Sequence, residues 1–77
     1  MQSKNYKLGI VKRYDGYIGE IIPIGEVITR DMIYYFTKND VNNNDIIEQK
    51  DLVQFNSKTE EGFPQAYYVN KVYLKKL

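Results

Sequence analysis

The chain has 77 residues, 43% of them hydrophobic, and 11 basic against 10 acidic side chains for a net charge of +1. A domain of this length hides only about 60% or a little more of its unfolded surface, so the core is small, and the near-neutral balance draws the protein to neither nucleic acid nor membrane by its overall field. Cysteine and histidine are both absent, which removes disulfides, thiolate zinc sites and the common nucleophile–base pairs, and makes a reducing cytosol the default setting.

Met1 to Asn5 is polar and reads as a frayed end. Tyr6 to Tyr14 mixes branched apolar and basic residues as a first strand, and Asp15-Gly16 supplies a hairpin turn. Tyr17 to Ile24 reads as a second strand, with Gly19 marking a bulge or bend. Gly25-Glu26 breaks it, and Glu26 to Asp31 reads as a loop or frayed extension. The run from Asp31 to Thr37 then alternates strongly: Met32, Tyr34 and Phe36 share one face of a third strand, Ile33 and Tyr35 the other. Five consecutive large side chains cannot all be buried in so small a protein, so part of this surface is available to a partner.

Thr37 to Asp40 carries cap-forming residues suited to a single helical turn, and Asn42 to Asp45 is a polar tract that stops it. Ile46 and Ile47 are expected to anchor the end of that tract on the core. Leu52 to Ser57 reads as a fourth strand, Thr59 to Pro64 as a turn and Gln65 to Leu74 as a fifth strand, followed by a basic end at Lys75 and Lys76. The chain shows no repeat, linker or boundary, so residues 1–77 are expected to form a single domain with its core at about 6–74. Five turn-linked strands point to an all-β, small, five-stranded antiparallel barrel, because closure removes the exposed edges. The oligonucleotide-binding and SH3-like types are the candidates.

Four motifs, met in order, resemble the cold-shock domain, a five-stranded OB-fold barrel. Gly9-Ile10-Val11-Lys12-Arg13-Tyr14 is similar to that family's G-x-V-K-W-F, and Gly16 to Pro23 to its K-G-F-G-F-I-x-P. Asp31 to Thr37 is similar to D-V-F-V-H-F-S, and Val53, Phe55 and then Phe63-Pro64-Gln65-Ala66-Tyr67-Tyr68-Val69 to V-x-F followed by G-P-Q-A-x-x-V. The resemblance spans Gly9 to about Lys71, with a shorter turn after the first strand and a longer loop before the third.

The resemblance implies a single-stranded RNA or DNA partner, with bases stacked on aromatic side chains of the second and third strands and lysines tracking phosphates. Carried over by position, the nucleic-acid-binding residues are Lys12, Arg13, Tyr14, Ile18, Ile33, Tyr35 and Phe36, with Glu20 among them. Arg13 stands where the family has Trp, Ile18 and Glu20 where it has two Phe, and Ile33 where it has another; the aromatic of the following loop falls near Asn44. A stacked base contributes about 1–3 kcal/mol, so three lost platforms weaken binding by roughly 3–9 kcal/mol. Arg13 recovers part of that by stacking its guanidinium plane, while the Glu20 carboxylate repels phosphate. The expected affinity is weak to moderate.

Other signals have plainer readings. Tyr67 and Tyr68 occupy adjacent strand positions, so one of them should meet the core. Lys4, Lys7, Lys12, Arg13, Lys71, Lys75 and Lys76 form either a phosphate track or an ordinary solvated surface. Asp40 to Asp45 with Asp51 superficially resembles a calcium loop but lacks its glycine, its terminal glutamate and its flanking helices. No metal or cofactor is expected, and no acid pair is placed for acid–base work, so the chain reads as a non-enzyme. No signal peptide or membrane span is evident, and a cytoplasmic location is expected. The alternative to nucleic-acid binding is a degenerate OB barrel that serves as a protein-interaction or homodimerisation module, favoured by the lost aromatics, Glu20 and the neutral charge.

Overall fold

A computed structural model describes residues 6–25, 32–42, 45–60 and 63–73. The expectations for Lys4, Lys75 and Lys76, for the Glu26 to Asp31 connection and for the tip of the last turn at Glu61-Gly62 lie outside those residues. The chain forms β1 (Tyr6–Tyr14), β2 (Ile18–Ile24), β3 (Tyr34–Thr37), one 3₁₀ turn (Lys38–Asp40), β4 (Leu52–Glu60) and β5 (Phe63–Lys71). β1 has the expected bounds, whereas Met32 and Ile33 precede β3 rather than belong to it. Thr59 and Glu60 extend β4 by pairing with Pro64 and Phe63, where the sequence suggested a turn.

The strands close into a barrel in the order β1-β2-β3-β5-β4. One junction differs from the antiparallel expectation, because β3 and β5 run parallel, with Tyr35 opposite Gln65. Parity requires this: directions that alternate around a ring of five must repeat at one junction. The repeat falls where β3 is short and pairing is least extensive. After the 3₁₀ turn the same parallel alignment resumes as a bridge between Val41 and Val69.

Alternation along each strand fills the barrel. Val11, Ile21, Tyr34, Phe36, Val53, Phe55, Ala66 and Val69 are buried, and Ile47 joins them from the segment before β4. Met32 packs against this cluster, as its shared face with Tyr34 and Phe36 predicts. The Tyr34 and Phe55 rings meet at 5.2 Å across the core. Ile46, expected to anchor beside Ile47, is instead 73% exposed, while Ile47 is buried at 6%, so only one of the pair reaches the interior.

Gly19 is buried on β2, directly opposite Phe36 on β3. The Phe36 ring fills the space that a side chain at Gly19 would need, and the Arg13 carbonyl closes it from β1 at 3.0 Å. The ring is itself packed against that of Tyr14, with centroids 5.0 Å apart. Gly19→Ala is therefore expected to destabilise the barrel by about 1–3 kcal/mol through overpacking, read as a lower urea midpoint in equilibrium unfolding.

Candidate nucleic-acid interface

β1 and β2 pair regularly from Leu8↔Ile24 to Val11↔Ile21, and then the register jumps so that Arg13 faces Glu20. Lys12 is the extra residue of this bulge. Strict alternation would turn one of two consecutive residues inward, but here Lys12 and Arg13 are both exposed while Val11 is buried and Tyr14 half-buried. The bulge thus presents two adjacent cations on the outer surface and returns Tyr14 toward the core. The Tyr14 ring lies 5.0 Å from that of Phe36, inclined by 33°. Burial, with a smaller contribution from the Asp15 charge, raises the Tyr14 pKa, so its hydroxyl stays protonated at neutral pH.

The tip between β1 and β2 is built by Asp15. Its carboxylate oxygen accepts the backbone N–H groups of Tyr17 (2.8 Å) and Ile18 (2.9 Å), and Gly16 supplies the positive φ of 96° that the turn requires. The Lys38 N–H donates to the Tyr17 carbonyl at 2.9 Å, which ties this tip to the 3₁₀ turn after β3. That turn is closed by Asp40, whose carboxylate accepts the Thr37 N–H at 2.8 Å and its hydroxyl at 3.1 Å.

On the outer face of β2 and β3, Ile18 is 59% exposed and Tyr35 41% exposed, while Glu20 and Ile33 are half-buried. Glu20 sits opposite Tyr35 on one side and Arg13 on the other. Its carboxylate reaches the Arg13 guanidinium at 3.8 Å. Arg13 is exposed and Glu20 half-buried; with one partner in solvent and a separation of 3.8 Å, the pair contributes about 1 kcal/mol at most and leaves Arg13 exchangeable. Arg13, Tyr14, Asp15, Ile18, Glu20 and Gln49 line an open pocket of about 490 Å³.

The structure therefore brings Arg13, Tyr14 and Ile18 together around one pocket, with Tyr35 beside it across Glu20. Phe36 is a correction. At 1% exposure it belongs to the core and offers no face to a base. The period that turns Tyr35 outward turns Phe36 inward, against Gly19 and Tyr14. Gln49 is a lining residue that the sequence did not signal: its amide donates to the Lys12 carbonyl at 3.2 Å from a distant part of the chain. The acids of the calcium-like tract have structural partners. Asp45 accepts the Lys71 N–H at 3.0 Å, and Asp51 accepts the Glu48 N–H at 2.8 Å while pairing with the Lys71 ammonium at 3.4 Å.

The backbone N–H groups of Ile18 and Tyr17 hold the Asp15 carboxyl below its ordinary pKa, and nearby Arg13 adds to this. Because the folded value is the depressed one, the stabilisation is complete above the ordinary carboxylate range near about pH 4 and is lost as the pH falls through the folded value. Asp15→Ala is expected to melt below wild type at pH 7, with the difference in melting temperature shrinking toward zero in strong acid.

No protein-family model and no curated protein sequence matches the chain. Among solved structures, the chain is similar to Drosophila Unr CSD456 at a TM-score of 0.72 and 15% sequence identity, over 94% of this chain and 29% of that one. The strand order, the closed five-stranded barrel and this superposition agree: the chain has the fold of a cold-shock domain.

Proposed function

We propose that this barrel is a non-catalytic, cytoplasmic module that binds single-stranded RNA or DNA on the outer face of β1, β2 and β3. The observation that carries this reading is the juxtaposition of two bulge-presented cations, Lys12 and Arg13, with the exposed Tyr35 ring one strand beyond Glu20. In this reading Tyr35 and the half-buried Tyr14 offer stacking surfaces, Arg13 stacks or meets a phosphate, Lys12 meets a phosphate, and Ile18 and Ile33 give apolar contact to base edges. Phe36 supports the face from within. Glu20 is the brake, because it competes with phosphate for Arg13.

The reading is tested by titrating labelled oligouridine and oligothymidine at low and physiological salt. Tyr35→Ala is expected to lose about 1–3 kcal/mol, the contribution of one stacked base. Glu20→Gln is expected to bind several-fold tighter, with a salt slope steeper by about 0.7 if Arg13 gains one phosphate contact. Saturable binding that neither substitution alters would remove the mechanism.

A second reading rests on a different surface. Leu8 pairs with Ile24 and Ile10 with Ile22, and Ile10 also faces Leu52 on β4. Leu8, Ile22 and Ile24 are exposed, and Tyr6 extends the patch. An apolar strip on the outer wall of β1, β2 and β4 suits a protein partner or a second copy of the chain. Sedimentation of wild type and Ile22→Lys measures this: a dimer abolished by the substitution supports self-association, and a monomer at high concentration excludes it.

A further inference from the structure

A second group of aromatic side chains lies on β5, outside the face described above. Ala66 and Val69 are buried, yet Tyr67 and Tyr68 between them both lie outside the core, half-buried and 61% exposed respectively. Strand alternation would have sent one of them inward. The β4–β5 register slips at this point, from Asn56↔Tyr67 to Gln54↔Asn70, and Tyr68 absorbs the slip with a positive φ of 54°. Glycine or asparagine takes that conformation far more readily than an aromatic residue. The outcome is a pair of rings 5.1 Å apart, with the Lys58 ammonium 5.4 Å from the Tyr67 ring.

This group is joined to the first face by the register of the barrel. Arg13 faces Glu20, Glu20 faces Tyr35, Tyr35 faces Gln65 and Gln65 faces Lys58. None of these side chains is buried, so one row of outward residues crosses all five strands from Arg13 to Lys58. Tyr67 stands two residues along β5 from Gln65. With about 3.3 Å per residue and about 4.8 Å between strands, its backbone is roughly 8 Å from that of Tyr35. The flanking residues Asn56, Gln65 and Asn70 are polar, which suits a ligand made of flat rings and charges better than an apolar protein side chain.

We infer that Tyr67, Tyr68 and Lys58 form a second station for single-stranded nucleic acid, with a base stacked on the exposed Tyr68 ring and a phosphate at Lys58. A strand crossing β2 and β3 continues onto β5 and β4 through Gln65. The inference rests on the nucleic-acid reading of the first face and adds length to its site.

The test compares oligouridines of about four and about ten nucleotides, which bracket the shorter site sizes of OB folds, against the full chain. Tyr68→Asn removes the ring while keeping a residue suited to the positive φ, and a circular-dichroism melt confirms that the barrel stays folded. The expected result is an affinity loss of about tenfold on the longer oligonucleotide with little change on the shorter one, whereas Tyr35→Ala weakens both. Lys58→Gln should lower the salt slope on the longer oligonucleotide by about 0.7. If Tyr68→Asn and Lys58→Gln bind both lengths as wild type does while Tyr35→Ala still loses affinity, the second station is wrong and the first face stands. If wild type binds neither length, both readings fall.

Discussion

The contact between the Phe36 ring and the bare backbone of Gly19 is the constraint on which the outer surface depends. It sets β2 against β3 in a single register, because sliding either strand by one residue would place a side chain where the ring now sits. With that register held, Glu20 and Tyr35 must be neighbours on the opposite face. The same ring receives Tyr14 from β1, so one buried side chain aligns the three strands that carry the candidate interface. Fixed alignment matters for a stacking surface, since a base meets a ring productively only where the ring is already held in place.

Two bulges then do what regular strands cannot. A pleated strand shows every second side chain, which limits how densely one face can be equipped. At Lys12 and Arg13 an extra residue shows two cations in succession, and at Tyr68 a left-handed backbone shows two tyrosines in succession. Holding a tyrosine there costs roughly 1–2 kcal/mol relative to an ordinary strand conformation. The neighbouring buried residues, Val11 and Val69, keep their places in the core, so the barrel interior is undisturbed at both points. Each bulge is a local exception that leaves the closed ring intact.

Electrostatics at this surface are local. A chain with a net charge of +1 has no long-range field to gather an anionic partner, and Arg13 already has Glu20 at 3.8 Å. Arg13 is solvent-exposed while Glu20 is half-buried, and the long, single-atom approach makes their attraction weak. Under the proposed nucleic-acid reading, binding would depend on ring faces and a few phosphate contacts, and would change with salt only as steeply as those few contacts allow.

Much of the fold is legible in the residues themselves. The bounds of β1, the Asp15-Gly16 turn, the capped turn at Thr37 to Asp40 and the placing of Tyr34 and Phe36 on one face of β3 with Tyr35 on the other all follow from alternation and local turn chemistry, which act over a few neighbouring residues. The motif order from Gly9 to Val69 also carried the resemblance to a cold-shock barrel. What the sequence leaves open depends on contacts between distant segments. The parallel β3–β5 junction comes from closing an odd ring, a property of the whole barrel. Which face of β3 turns inward and buries Phe36, the exposure of Ile46 and the placing of Gln49 beside Lys12 were settled by which surface each backbone segment packs against. The outward turn of both Tyr67 and Tyr68 needed the β4–β5 register to slip, and no pattern within β5 alone encodes that slip. Local periodicity determined which side chains could face solvent; only the closed barrel decided which of them stand together, because register between strands is set by the core that all five share.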